Sequence, residues 1–171
     1  LQPAEPKAYL GLARAHQLLG NLEQALLNAE QGLAIQPDWL PIQWIKFQLL
    51  NMLERPEAAS EAVEAMLTNQ PDCGISHLAK ACLLQETHRN EECHHTLDQA
   101  LKLDPSLYGA HFCRSYLLAA AGNFQDAITA VKQAVAVAPS FYDGHLQRFY
   151  LDLICHGDQG ERIRIEAEQF W

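Results

Sequence analysis

The stretch Ala100-Leu101-Lys102-Leu103-Asp104-Pro105 has counterparts in Gly32-Leu33-Ala34-Ile35-Gln36-Pro37 and Ala134-Val135-Ala136-Val137-Ala138-Pro139. Its last residue is one rung of a ladder. Pro3, Pro37, Pro71, Pro105 and Pro139 follow one another at intervals of 34 residues, and only Pro6, Pro41 and Pro56 fall outside the series. Four equal intervals in a row are not a chance pattern. A fixed period of this size marks an architecture of stacked repeats.

The text between the prolines repeats as well. Gly20-Asn21-Leu22 returns three periods later as Gly122-Asn123-Phe124, and Gln24-Ala25-Leu26 as Asp126-Ala127-Ile128. Tyr9, Leu12, Ala13 and His16 are spaced three, one and three apart, the stripe of an amphipathic helix. A turn is expected at Gly20-Asn21. A second helix is expected from Leu22 to Ile35, ending before Pro37 because a proline disfavours helical backbone in the residue before it. Small residues occupy three slots per unit: Ala13, Ala25 and Gly32 in the first, Ala81, Cys93 and Ala100 in the third, Ser115, Ala127 and Ala134 in the fourth. Small side chains there let paired helices approach to about 8 Å.

Composition fits a folded chain and excludes several ligand classes. The 171 residues are 49% apolar and 19% charged, values of the folded, soluble class. Twelve basic against 21 acidic residues leave a net charge of −9. Nucleic acid and anionic lipid are disfavoured, because phosphate neutralisation needs Lys and Arg. No apolar run reaches the roughly 20 residues of a membrane helix, and no signal peptide is visible. The cysteines Cys73, Cys82, Cys93, Cys113 and Cys155 show no C-x-x-C spacing. They are expected as free thiols in a reducing compartment, and the chain as cytoplasmic.

On these residues the chain resembles the tetratricopeptide repeat (TPR) family over essentially its whole length. Tyr9, Leu12, Ala13, His16, Gly20, Ala25, Gly32 and Pro37 match the family pattern in the first unit. The third and fourth units carry His77 and His111 in the aromatic slot and Lys80 and Arg114 in the Leu slot. The resemblance implies an all-α fold, a right-handed α-solenoid of about five helical hairpins, with about ten helices and no strand. The repeats are expected at residues 6–39, 40–73, 74–107 and 108–141, with 1–5 the tail of a preceding repeat and 142–171 a divergent terminal hairpin. In the second unit the first helix reads best shifted by one residue, with Trp44 and Phe47 in the aromatic and Leu slots and a shortened turn before Pro56. In the last hairpin the second helix would carry Ile163, Glu166, Ala167 and Phe170. Pro3 on the ladder and the apolar Phe170-Trp171 suggest a segment of a longer protein.

No catalytic constellation is present: G-x-S-x-G, P-loop, dinucleotide and H-E-x-x-H motifs are all missing. Glu91-Glu92 reads as acid at a helix N-terminus. His77, His111 and His145 recur every 34 residues, yet equivalent residues of neighbouring helices stand roughly 8–10 Å apart. Zinc needs its nitrogens at about 2.0–2.1 Å, so the histidines are expected as packing plates with a polar tip. The adjacent His94 and His95 point in different directions. No metal and no cofactor are expected, and this segment is not expected to be an enzyme.

What the resemblance implies for binding is a concave side lined by first helices. A clamp for a chaperone C-terminal carboxylate is not supported, since among Leu10, Arg14, Ile45, Ile75 and Ala79 only Arg14 suits it. The asparagine ladder of animal O-GlcNAc transferase is missing as well, its slots holding Gly11, Ile45, Ala79, Cys113 and Gln147. The groove slots hold Lys7, Leu10, Arg14 and Gln17, then Leu78, Ala79, Cys82 and Gln85, then Phe112, Cys113, Tyr116 and Ala119, then Leu146, Gln147, Tyr150 and Leu153. Leu10, Arg14, Leu78, Cys82, Phe112, Tyr116, Gln147 and Tyr150 are the candidate contacts of an apolar, aromatic trough with a basic entrance. The trough is expected to take a protein or peptide partner, or another part of the same chain. Protein–protein interaction is the function this implies. The alternative is a substrate-presenting arm of a larger transferase. The stretch from Arg148 to Trp171 resembles the linker before the catalytic half of bacterial O-GlcNAc transferase relatives, and bacterial TPR–sulfotransferase fusions are an equal possibility. Self-assembly by end-to-end stacking is a third reading.

Overall fold

The computed structural model describes residues 5–155. Among them are nine α-helices and no strand. The first helices of the hairpins are α1 (Pro6–Leu18), α3 (Leu40–Met52), α5 (Gly74–Glu86), α7 (Tyr108–Ala120) and α9 (Tyr142–Cys155). The second helices are α2 (Leu22–Ile35), α4 (Pro56–Asn69), α6 (Asn90–Leu103) and α8 (Phe124–Val137). Helix starts recur every 34 residues without a slip. Each second helix ends two residues before a ladder proline, where the proline forces extended backbone on its predecessor. This is an all-α helical-repeat solenoid. The last hairpin's expected second helix and all but residue 5 of the tail expected at 1–5 lie outside the described residues. So does most of the stretch likened to a transferase linker.

The chain divides into two compact units, one ending at Ala79 and the other beginning at Lys80, within α5. In the first unit α2 packs against both α1 and α3, and α3 against α4. Its interior holds Ile42, Ile45, Phe47, Leu49, Leu50, Val63 and Met66. In the second unit α8 packs between α7 and α9, and α6 against α7. There Ala127, Ile128, Val131 and Leu151 form a core closed over by Phe112, Leu118, Ala119 and Phe124. All nine small-slot residues are buried. Their short side chains bring backbones together so that the larger neighbours interdigitate.

Each hairpin turns by the same device. At the end of α1 the Gly20 N–H donates to Gln17 O and the Asn21 N–H to His16 O, the Schellman pattern that caps otherwise orphan carbonyls. The same two bonds recur at Glu54 and Arg55, at His88 and Arg89, and at Gly122 and Asn123. The residue at the turn is left-handed in all four, with φ of 75° at Gly20, 55° at Glu54, 58° at His88 and 79° at Gly122. A side chain in this conformation costs about 1–2 kcal/mol. Glu54→Gly removes that strain but frees the unfolded chain, which offsets about 0.4–1 kcal/mol. The variant is expected to be more stable by several tenths to about 1 kcal/mol, read as a higher urea midpoint. A lower midpoint would show that Glu54 is held by something other than the turn.

The second repeat, residues 40–73, differs from its sequence reading. Its turn, residues 53–55, is as long as the others, and α3 keeps the common register. Gln43, not Trp44, therefore stands in the slot of Tyr9 and His77. Phe47 stands in the small slot of Ala13 and is buried. The reason is a hydrogen bond rather than an aromatic preference. Gln43 Nε2 donates to Pro37 O at 2.8 Å, and His77 Nε2 meets Pro71 O at the same 2.8 Å.

Candidate interaction surface

The bond made by Gln43 runs up the ladder. His111 Nε2 meets Pro105 O at 2.9 Å and His145 Nε2 meets Pro139 O at 2.8 Å. A carbonyl oxygen only accepts, so in each neutral ring the proton sits on Nε2. In His77 and His111 the buried Nδ1 has no partner. These side chains tie each first helix to the proline that ended the helix before it. Each ring serves a carbonyl of its own.

The Leu slot is a flank. Leu12 is 41% exposed, which is why charged residues replace it without harm. Lys46 pairs with Glu30 at 3.5 Å, and two periods later Arg114 pairs with Asp98. Both pairs join a first helix to the second helix before it. Exposed pairs of this kind contribute about 0–1 kcal/mol.

The eight candidate contacts are placed unevenly. In the first unit Arg14 is exposed and Leu10 half-buried. Leu78, also in that unit, is only 4% exposed. The small residues around it on α5, namely Gly74, Ser76, Ala79 and Ala81, are buried too. They let neighbouring backbone approach closely, and Leu78 is enclosed with them. Gln147 is 7% exposed. It occupies the slot of Ile45 and Ala79, both buried, and of Cys113, which is partly exposed, and Gly11, which is exposed. Leu78 and Gln147, with Ala79, are therefore interior residues and not groove contacts.

The rest of the second unit's candidates are accessible. Tyr116 is 48% and Tyr150 55% exposed, while Phe112 and Cys82 are partly buried. Phe112 meets Tyr116 edge-on, ring centroids 5.0 Å apart, and Phe141 at 4.7 Å. Phe141 is also 4.9 Å from Tyr108, and Tyr150 stacks near Phe149 at 5.9 Å. Tyr108 and Tyr142, one period apart and both exposed, were missed from sequence. Their signal was present: Tyr108, Phe112 and Tyr116 are spaced by four, as are Tyr142, Leu146 and Tyr150, and residues four apart share a helix face. No helix among the described residues is long and apolar enough to cross a membrane.

Two sequence models described as tetratricopeptide repeat match the chain, one over residues 6–38 and one over 78–142. The chain belongs to the tetratricopeptide repeat family. A search of curated protein sequences finds no match. Among solved structures, a thermophilic TPR protein of Thermus thermophilus is similar at TM-score 0.76 and 20% identity, covering 89% of this chain and 84% of its own. PilF of Pseudomonas aeruginosa is similar at TM-score 0.67 and 18% identity, over 96% of this chain and 72% of its own. A chain of the APC/C hetero-tetramer Cut9–Hcn1 reaches TM-score 0.78 at 9% identity, over 97% of this chain and 33% of its own. At these identities the likeness is one of fold. Repeats of this family generally mediate protein–protein interaction, the class in which the fold places this chain.

Proposed function

We propose that the chain is an interaction scaffold, with a binding and not a catalytic role, whose second unit offers an aromatic face to a peptide or partner segment. The observation that carries this reading is the exposure of Tyr116 and Tyr150, one period apart on α7 and α9, beside the partly buried Phe112 and Phe149. Tyr108, Tyr142, Leu146 and Leu153 extend the same helix faces and are exposed as well. Contiguous apolar surface of this kind marks partner sites, and tyrosine is among the side chains that carry most binding energy. Leu10 and Arg14 occupy the equivalent slots of the first unit and belong to the proposal as contacts there. Five unpaired thiols suit the reducing, cytoplasmic setting that is part of the same reading.

Peptides selected from a random library against the wild-type chain provide the test. Tyr116→Ala with Tyr150→Ala is expected to weaken the selected peptides at least tenfold, about 1.4 kcal/mol. The melting temperature should fall by only a few degrees. Unchanged affinity would move the binding surface elsewhere. Unfolding of the double variant would make the rings structural.

A further inference from the structure

Cys82 on α5 and Cys113 on α7, both in the second unit, have their sulfurs 3.9 Å apart. Both residues are partly exposed. A disulfide holds its sulfurs at ~2.05 Å, so this pair closes by an approach of about 2 Å. The third thiol of the region behaves differently. Cys93 is fully buried, and its S–H donates to Ala81 O at 3.3 Å. Burial pushes its pKa up to about 11, so it is sealed and protonated.

We propose that Cys82 and Cys113 form a thiol–disulfide exchange site for low-molecular-weight disulfides of the glutathione class. The hydrogen bond between the two thiols polarises the pair. It is the main cause that lowers Cys113 below the ordinary thiol value, against an opposing effect of burial. The same bond, with burial added, raises Cys82 well above that value. With Cys82 as the donor of that bond, the first thiolate forms on Cys113, and the thiolate is the attacking species. It attacks one sulfur of glutathione disulfide, forming a mixed disulfide and expelling one glutathione thiolate, which takes up a proton. Cys82 then gives its proton to solvent and attacks the Cys113 sulfur, expelling the second glutathione. Two protein thiols are oxidised and one glutathione disulfide is reduced to two thiols, with no other electron acceptor. The new bond joins α5 to α7.

The experiment treats the folded 171-residue chain with glutathione disulfide at neutral pH, in a Cys155→Ser background that removes an exposed thiol able to link two chains. Non-reducing peptide mapping is expected to find the Cys82 and Cys113 peptides joined and Cys93 reduced. Adding Cys82→Ser should stop the reaction at a stable glutathione adduct on Cys113. Adding Cys113→Ser should leave Cys82 much slower to react. A persistent adduct on Cys113 in the chain that retains both cysteines would overturn the proposal, as would a link formed only after unfolding in urea. Faster reaction of Cys93 than of Cys113 would overturn it too.

Discussion

Ala127→Leu is expected to lower the stability of the chain by about 1–3 kcal/mol, the usual cost of forcing methylenes into a filled interior. Ala127 is fully buried beside Ile128, Val131 and Leu151, and Phe112, Leu118, Ala119 and Phe124 close the same cluster. A leucine there must displace α7 or push a ring out of its rotamer. Helix propensity offers no relief, since Ala is already the best helix former. Ala136 on the same helix is exposed, and Ala136→Leu is expected to stay within about 0.5 kcal/mol of wild type. Urea unfolding of the two variants decides the matter. Equal midpoints would mean that Ala127 is not the contact between helices that its burial indicates.

That site was legible in the sequence because small residues recur at a fixed interval from a fixed punctuation mark. The prolines set the period, the period set the helix ends, and the small slots marked where backbones meet. What the period does not reveal is which way each slot points. Neighbouring residues of a helix project about 100° apart, so a step of one slot separates surface from interior. Gln147 and Ala79 were read as surface for this reason and are buried with Ile45, although Cys113 in the same slot is partly exposed. The second repeat was misread because its slot was judged by aromatic character, whereas Gln43 fills it by donating to Pro37 O as His77 does to Pro71 O. The left-handed turn was plain at Gly20 and Gly122 but hidden at Glu54 and His88, since neither residue type announces a positive φ.

Gly32 tests the packing between hairpins most sharply. A Cβ built on it would lie 2.3 Å from Ile42 Cδ1 and 3.2 Å from Tyr9 Cβ. Tyr9 Cβ is anchored to the α1 backbone and has little freedom to move. The tip of Ile42 can rotate, but Ile42 is fully buried and has packed neighbours on every side. Gly32→Ala gains about 1 kcal/mol of helix propensity and loses about 1–3 kcal/mol to overpacking, so a net loss is expected. Ile42→Val alone removes the offending methyl group and leaves a void, costing about 0.5–1.5 kcal/mol. Together the two changes place the alanine methyl where the isoleucine tip was. The double variant is expected to be at least as stable as either single one, with a favourable coupling of about 0.5–3 kcal/mol. Additive effects across the four proteins of this cycle would show that the two side chains do not meet. The next pair of facing slots supports the expectation, because Met66 now supplies the bulk and Ser76 the small side chain, its Oγ donating to Met66 O at 3.3 Å. In these two contacts one facing residue is large and the other small, and either position can hold the small one, whereas in the next two contacts both are small, Ala100 with Ala110 and Ala134 with Gly144.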